Sequence, residues 1–216
     1  MKQYINKYLF ISLGFALLLI VVASLRQAIE SNAGDAFNPV ETKATSSIEN
    51  TELTQAQTKS INIATYNIAR GKGTDGIRDI LRTGSILKNF DIIGLNEVGG
   101  VPFTNHAEQL GNQLGLPWLF AANQKRWFYN YFGNGVLSNL PVSGWKSQML
   151  PRDVKKNRAF RNYVVTHFHW QGKELAVITT HLGRGDLVGV QLNQVMKEFQ
   201  QYPHAVLMGD FNLKPD

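Results

Sequence analysis

The amino-acid sequence predicts an α/β domain that begins near Ser60, and three neighbouring patterns carry this prediction. Side chains over 61–66 alternate with the period of a β-strand. Apolar side chains over 77–90 then recur at helical spacing. The apolar run over 91–95 is short, which is typical of a buried strand. A strand, a helix and a second strand in this order favour a mixed α/β arrangement.

The elements predicted after residue 95 alternate in the same way. A helix is expected over residues 106–114, and a last helix is expected over residues 190–199. Short apolar or alternating runs predict further strands over 118–121, 135–140, 159–169, 175–180 and 205–208. Helices mixed with neighbouring and crossover strands predict sheets in the middle of the domain and helices outside.

The N-terminal segment, residues 1–26, predicts a membrane anchor or an export signal. Lys2 and Lys7 precede an apolar run over 9–25, which is long enough to span a bilayer as a helix. The positive charges on the N-terminal side predict that the chain after this run lies outside the cytoplasm. Small residues such as Ala23 also fit cleavage of a signal peptide, and both alternatives stay open.

The next segment, residues 27–59, is polar, and we interpret it as a flexible linker to a domain over 60–216. The chain has 216 residues and a net charge of +6, an excess that favours anionic partners. It contains no cysteine, so disulfides, zinc–thiolate sites and thiol catalysis are excluded.

Polar residues that suit metal-assisted chemistry follow several of the predicted strands. Glu97 and Asp210 offer carboxylate oxygens, which Mg²⁺ and Mn²⁺ prefer, and Asn67 and Asn212 offer amides. His181 is placed to donate a hydrogen bond to a phosphate oxygen. Ligand sites in α/β sheets assemble at strand ends, so we expect these side chains to lie together.

The order of these motifs resembles the endonuclease/exonuclease/phosphatase superfamily, whose fold is DNase I-like. The resemblance rests on Asn67, on the runs Asp-Ile-Ile-Gly-Leu-Asn-Glu-Val over 91–98 and Gly-Val-Leu-Ser over 135–138, on Thr-His-Leu over 180–182 and on Gly-Asp-Phe-Asn over 209–212. It covers nearly all of 61–216. It implies a four-layer α/β sandwich with two central sheets and metal-dependent cleavage of phosphoester bonds.

The resemblance also implies a role for each matching residue. Glu97 is expected to be the principal ligand of Mg²⁺, or of Mn²⁺ in its place, with Asn67 beside it as a metal or substrate ligand. His181, Asp210 and Asn212 are expected to be catalytic: His181 binds the scissile phosphate, Asp210 orients or activates the attacking water, and Asn212 contacts the phosphate.

Two further residues are predicted to bind substrate. Asn134 follows an aromatic cluster over 127–132, which suits stacking on bases or contact with lipid, although packing explains it equally well. Arg158 belongs to a basic run over 155–161 that would attract an anionic substrate, with a solvated loop as the alternative. The expected substrate is a nucleic acid, a phospholipid or a small phosphoester, and no obligate protein partner is evident.

Two other functions remain open at this point. Members of the superfamily end with a later Asp-His pair that this chain, ending at Asp216, does not contain. The domain is therefore expected to be incomplete at its C-terminus, and a non-catalytic membrane-anchored fragment is one alternative. A glycine pattern over 71–76 also matches the phosphate loop of a dinucleotide-binding oxidoreductase, with Glu97 about 20 residues on.

Overall fold

The computed structural model describes residues 32–33, 60–101, 104–126, 130–153 and 159–213. The predicted anchor or signal over 1–26 and nearly all of the predicted linker over 27–59 lie outside these residues. A two-residue strand, β1 (Asn32–Ala33), is the part of the linker that is described. In the described ranges, no helix is long and apolar enough to cross a membrane.

The first sheet contains β2 (Ile63–Asn67) and β3 (Ile92–Val101), the first two strands of the domain that begins near Ser60. Its neighbouring strands run in the order β5 (Trp118–Arg126), β6 (Asn130–Ser138), β3 and β2, and β4 (Thr104–Asn105) pairs with β3. β2 and β3 are parallel, whereas β6 is antiparallel to both β3 and β5. The parallel pair ends at Asn67 and Asn96, which lie opposite each other.

The second sheet has four strands. Their order is β10 (Ala205–Asp210), β9 (Lys173–His181), β8 (Asn162–Trp170) and β7 (Val142–Met149). β9 and β10 are parallel and place His181 opposite Asp210, while β7, β8 and β9 form an antiparallel meander. Each sheet therefore supplies one parallel pair whose carboxyl ends carry polar side chains.

Apolar side chains from both sheets form the central core. Ile92 and Val136 from the first sheet pack with Val164, Phe168 and further residues from the second. Phe168 is fully buried. Fully burying a phenylalanine side chain stabilises a fold by about 1.5–3 kcal/mol, so this layer holds the two sheets face to face.

Helices cover the outer faces of both sheets. On the second sheet, Val188 and Val195 of α3 (Val188–Phe199) join a second core. On the first sheet, α2 (His106–Leu114) buries Ala107 and Leu110, and α1 (Leu81–Leu87) packs beside it. The described residues thus form the predicted helix–sheet–sheet–helix order.

The helix predicted over 106–114 is confirmed with the same bounds because its ends are well specified. Asn105 accepts a hydrogen bond from the Glu108 amide, and the Glu108 carboxylate accepts one from the Asn105 amide, which is a capping box. Gly115 ends the helix in the left-handed conformation, at a φ of 68°.

Two secondary-structure predictions need correction. The helix expected over 77–90 is only Leu81–Leu87, because a turn over 73–77 and a bridge between Lys72 and Arg78 occupy the preceding residues. The edge strand β7 (Val142–Met149) was not predicted, since most of its side chains are exposed and leave no alternating pattern.

Candidate active site

The carboxyl ends of the two parallel strand pairs meet at one edge of the domain. Asn67 ends β2, His181 ends β9 and Asp210 ends β10, while Glu97 lies in β3. The Asn67 side-chain amide donates to Oδ2 of Asp210 at 2.9 Å and to Oε1 of Glu97 at 3.4 Å. The structure therefore brings together four of the residues predicted from the sequence, contributed by both sheets.

Asn67 acts on the two carboxylates through its amide nitrogen. Its Oδ1 accepts a hydrogen bond from the Ala69 amide at 3.0 Å, so the nitrogen faces Glu97 and Asp210. In this orientation the side chain offers no oxygen to a cation at the carboxylates. The Asn67 amide thus contacts both carboxylates, and its role as a metal or substrate ligand stays a prediction.

Glu97 lies at an irregularity of β3 that sets the direction of its side chain. The register between β3 and β6 shifts between Leu95 and Val98, and Glu97 has a φ of 57°. A left-handed conformation is uncommon for a non-glycine residue and concentrates at functional sites. A bulge of this kind turns a side chain away from the regular alternation of the strand.

Asp210 is fixed on both sides of its side chain. Its backbone amide donates to Oδ1 of Asn96 at 2.9 Å, and its own Oδ1 accepts from the Asn212 amide at 3.0 Å. Burial acts to raise the pKa of Asp210, but the hydrogen bonds from Asn67 and Asn212 outweigh it and hold this pKa below its ordinary value. Asp210 is therefore a carboxylate at neutral pH.

Gly209 lets β10 approach β9 closely enough to place Asp210. Its φ is 140°, and a Cβ atom there would collide with the backbone carbonyl of Thr180. Since only glycine combines this conformation with so close an approach, the Gly-Asp pair of the motif has a steric explanation as well as a chemical one.

His181 is almost fully buried, at 2% exposure, behind the carboxylates. The Arg161 guanidinium lies 3.2 Å from Nδ1, and Nε2 lies 3.5 Å from Oδ2 of Asp210. Burial, together with the charge of Arg161, lowers the pKa of His181 to about 4 despite the opposing charges of Asp210 and Glu97. Because a guanidinium can only donate, Nδ1 of the neutral ring accepts and Nε2 carries the proton.

Asn212 follows β10 with a φ of 50°, and its amide is engaged at both ends. Its Nδ2 donates to the Leu182 carbonyl at 2.9 Å, and its Oδ1 accepts from Nε of Arg184 at 2.9 Å. Arg184, Asp210 and Asn212 also line an open cavity of about 910 Å³ beside the site.

A buried chain of asparagines lies beneath the site. Asn96 donates to Asn134 at 2.9 Å and to the Thr180 carbonyl at 3.0 Å, and Asn134 donates to Asn162. Asn162 also accepts from Asn123 at 2.8 Å. These contacts join strands of the first sheet to strands of the second, so they hold the two parallel pairs in position.

The structure places Asn134, which was predicted to bind substrate, in the buried chain beneath the site. It is 1% exposed, and protein groups occupy both ends of its amide. It supports Asn96, which in turn holds the Asp210 amide, and its contact with substrate stays a prediction.

Two basic residues of the described ranges lie near the site, and the predicted contact of Arg158 stays a prediction. Arg158 lies outside the described residues. Arg161, from the same basic run, contacts His181, and Arg184 contacts Asn212. Neither was selected from the sequence. Arg161 lies near the start of the strand predicted over 159–169, level with the strand end that carries His181, and this position is the signal that could have identified it.

The donor set at this edge fits a hard divalent cation. Glu97 and Asp210 present carboxylate oxygens, and Mg²⁺ needs only one or two protein carboxylates because it keeps several waters. In the described part of the chain, no group of three or more acidic or histidine side chains converges as a metal cage. The residues present therefore suit Mg²⁺ or Mn²⁺ held at Glu97.

The glycine pattern over 71–76 does not have the geometry of a dinucleotide-binding loop. Gly71 ends a short 3-10 helix, and α1 begins only at Leu81. Glu97 contacts the Asn67 side chain at the end of β2.

The chain belongs to the Endonuclease/Exonuclease/phosphatase family, which its sequence matches over residues 64–216. The predicted superfamily and its DNase I-like mixed α/β fold are thereby confirmed. No curated protein matches the sequence.

Solved structures share the fold at low sequence identity. An endonuclease/exonuclease/phosphatase family protein from Leptotrichia buccalis is 16% identical with a TM-score of 0.58, covering 71% of this chain and 69% of that one. ANGEL2, described as a 2',3'-cyclic phosphatase, is 17% identical with a TM-score of 0.55, covering 72% and 53%. TDP2 from D. rerio, in complex with a single-strand DNA product, is 19% identical with a TM-score of 0.51, covering 72% and 62%.

Proposed function

We propose that this chain hydrolyses phosphodiester or phosphomonoester bonds with the help of Mg²⁺ or Mn²⁺ held at Glu97. The observation that carries the proposal is the contact of one Asn67 nitrogen with the carboxylates of both Glu97 and Asp210, next to the buried His181. Family membership supports a phosphoesterase, and the donor chemistry of the site supports the metal.

A divalent cation bound here would supply positive charge to the phosphoryl oxygens as negative charge develops on them. Glu97 supplies the protein carboxylate for it. Asn67 restrains Glu97 through the 3.4 Å contact and thus orients that carboxylate. The bulge at Glu97 turns the side chain towards the edge where both sheets end.

His181 is suited to donate a hydrogen bond to a phosphoryl oxygen. Since Arg161 occupies Nδ1, the proton of the neutral ring is on Nε2, whose contact with Asp210 is long at 3.5 Å. The charge of Arg161 behind the ring strengthens this donor, because hydrogen bonds in series polarise one another. Transition-state charge is stabilised by donors that are held in place before the reaction.

Asp210 is suited to orient the attacking water and accept its proton. Its lowered pKa keeps it ionised, and hydrogen bonds to Asn67 and Asn212 fix its direction. Asn212 remains a proposed phosphate contact, for which Arg184 would add positive charge at the adjoining cavity.

The substrate belongs to the phosphoesters, and the proteins with this fold support that range. ANGEL2 is described as a 2',3'-cyclic phosphatase, and the TDP2 structure holds a single-strand DNA product. For this chain we propose a nucleic acid, a phospholipid or a small phosphoester. The lysines before the apolar run over 9–25 support the further proposal that the domain works outside the cytoplasm, as an anchored or exported protein.

A chromogenic assay tests the activity. Full-length protein should release nitrophenol from bis-p-nitrophenyl phosphate or p-nitrophenyl phosphate in Mg²⁺ or Mn²⁺, and EDTA should abolish release. Glu97→Gln should lower kcat/KM by about 10²–10³-fold, the range seen when one group that stabilises transition-state charge is removed. Glu174→Gln, which changes a carboxylate that is 60% exposed, is the matched control.

Each outcome of this assay bears on the proposal. Turnover that survives Glu97→Gln would contradict the assignment of Glu97. Folded wild-type protein that turns over neither substrate, with either metal, would favour the non-catalytic fragment.

A further inference from the structure

A second cavity, of about 250 Å³, lies beside the candidate active site and is lined by hydrogen-bond donors. Its lining includes Arg70, Arg78, Gly99, Asn105 and His106. No carboxylate is among the lining residues. This composition differs from that of the candidate active site, which contains the carboxylates of Glu97 and Asp210.

Two chain segments connect this cavity directly to the active site. Arg70 lies three residues after Asn67, within the short 3-10 helix Ala69–Gly71. Gly99 follows Glu97 by two residues in β3, which is about 6–7 Å along a strand. A ligand that occupies both places therefore needs two anionic groups separated by a short linkage.

The two arginines of the cavity have no carboxylate partner among the described residues. The Arg78 guanidinium donates to the backbone carbonyl of Arg70 at 3.2 Å, and both residues line the cavity. By contrast, the nearby Arg82 is paired with Asp75 at 2.8 Å. Two guanidinium groups left without counter-charges form a site for an anion, above all for phosphate.

His106 adds a directed donor. The Gly99 amide donates to its Nδ1 at 3.2 Å, so the proton of the neutral ring is on Nε2. Burial, followed by the charges of Arg78 and Arg70, lowers the pKa of His106 and keeps the ring neutral. A Cβ atom on Gly99 would lie 3.1 Å from Cε1 of His106, so glycine at this position allows the ring to approach the strand.

Asn105 gives an independent indication of a ligand. It is 2% exposed, and its Oδ1 caps α2 by accepting from the Glu108 amide at 2.9 Å. Its Nδ2 is buried and has no hydrogen-bond partner within the described part of the chain. A buried donor without a partner costs about 1–3 kcal/mol, and the N-terminus of α2 adds positive potential at the same place.

We infer that this cavity binds a second phosphate of the substrate, one short linkage away from the phosphate that is cleaved. The inference rests on the proposed function for the position of the first phosphate. The chemistry it requires is shared by an oligonucleotide and by a small molecule with two phosphates on neighbouring positions. A substrate with a single phosphate would leave the cavity without its ligand.

The first experiment measures binding without catalysis. Full-length protein is titrated with inorganic phosphate in EDTA, and NMR follows the Gly99 backbone amide and the Asn105 side-chain amide. Both signals should shift as phosphate is added and stop shifting once the site is saturated. Arg78→Gln should weaken phosphate binding about tenfold or more, because a charge-assisted hydrogen bond is lost. Lys173→Gln, at the end of β9 opposite His181, is the control that also removes one exposed charge.

Signals that do not shift, or an affinity unchanged by Arg78→Gln, would overturn the inference. Arg70→Gln provides a second variant if Arg78→Gln does not fold by circular dichroism. Since this titration needs no turnover, it remains decisive if the proposed activity is absent.

The second experiment compares substrates. Thymidine 5'-p-nitrophenyl phosphate is assayed with and without a 3'-phosphate, and inositol phosphates carrying one or two phosphates provide the small-molecule arm. In at least one pair the second phosphate should raise kcat/KM about ten- to a hundredfold, and Arg78→Gln should remove only that gain. The pair that responds identifies the source of the phosphate. Turnover with no gain in either pair would contradict the inference while leaving the proposed function intact.

Discussion

Glu198 and Glu97 illustrate two ways in which this fold surrounds a carboxylate. Glu198, on α3, is 7% exposed and accepts from Tyr163 at 2.9 Å, from Tyr202 at 2.5 Å and from Lys146 at 2.7 Å. Burial raises the pKa of Glu198, but these three contacts together hold it below the ordinary value. Every oxygen is satisfied, and the charge is balanced by a cation that belongs to the chain.

Glu97 is surrounded differently. It is partly buried, its contact with Asn67 is long at 3.4 Å, and no cationic side chain pairs with it among the described residues. Beside it, Asp210 has the neutral His181 at 3.5 Å in place of a lysine. The comparison shows that the Glu198 cluster is complete in itself, whereas Glu97 is left with one long contact, and this difference supports the proposal that Glu97 holds a cation.

Removing Glu198 should give the largest loss of stability. Glu198→Ala leaves two tyrosine hydroxyls and Lys146 without their acceptor, so we expect the free energy of unfolding to fall by about 3–4 kcal/mol. Urea denaturation measures it, with the exposed Glu174→Ala as the control, expected within about 1 kcal/mol of wild type. A loss below about 1 kcal/mol would show that the cluster is not a structural centre.

The pH dependence of stability should distinguish the contribution of His181 from that of Glu198. The pKa of His181 falls from 6.5 to about 4 on folding, so the unfolded chain binds more protons between these values. Stability should therefore be full above pH 6.5 and decline as the pH falls to 4, by about 3 kcal/mol from this group. The contribution of Glu198, whose pKa is lowered from 4.5, is lost mainly below that range.

Denaturation curves of His181→Gln test this assignment. The variant should lose most of the decline between pH 6.5 and 4, while the part due to His106 remains. An unchanged slope in the variant would place the titrating group elsewhere.

A substitution in the asparagine chain beneath the site should have a smaller effect, which lowers both stability and activity. Asn96→Ala leaves Asn134 Oδ1 and the Asp210 amide without partners, so we expect a loss of about 2 kcal/mol and a fall in kcat/KM. Asn139→Ala, which removes an exposed contact with Asp91, should cost about 0.5 kcal/mol and leave kcat/KM unchanged. Equal effects of the two substitutions would argue against a supporting role for Asn96.

The sequence predicted the parts of the molecule whose signals are local. The capping residues of α2 and the polar residues at the ends of β2, β9 and β10 are read from neighbouring positions. The helix over 106–114 was predicted with its observed bounds, and the polar strand ends predicted that Asn67, His181 and Asp210 lie together.

The remaining features depend on contacts between distant segments. Asn162 begins a strand and gives no signal until the second sheet stacks on the first, where Asn134 and Asn123 reach it. Arg161 belongs to a basic run whose members the sequence cannot distinguish, and its contact with His181 exists only because β8 pairs with β9. The sequence thus predicted residues of the candidate active site but not the network of contacts around them.

Binding of Mn²⁺, followed by the loss of its free-ion EPR signal, tests the central claim most directly. We predict that wild-type protein and Glu198→Ala bind Mn²⁺ with the same affinity, each corrected for its folded fraction by circular dichroism. Glu97→Gln should bind at least about tenfold more weakly. Equal binding by Glu97→Gln, or a loss confined to Glu198→Ala, would contradict the account of Glu97 as the carboxylate left for a cation.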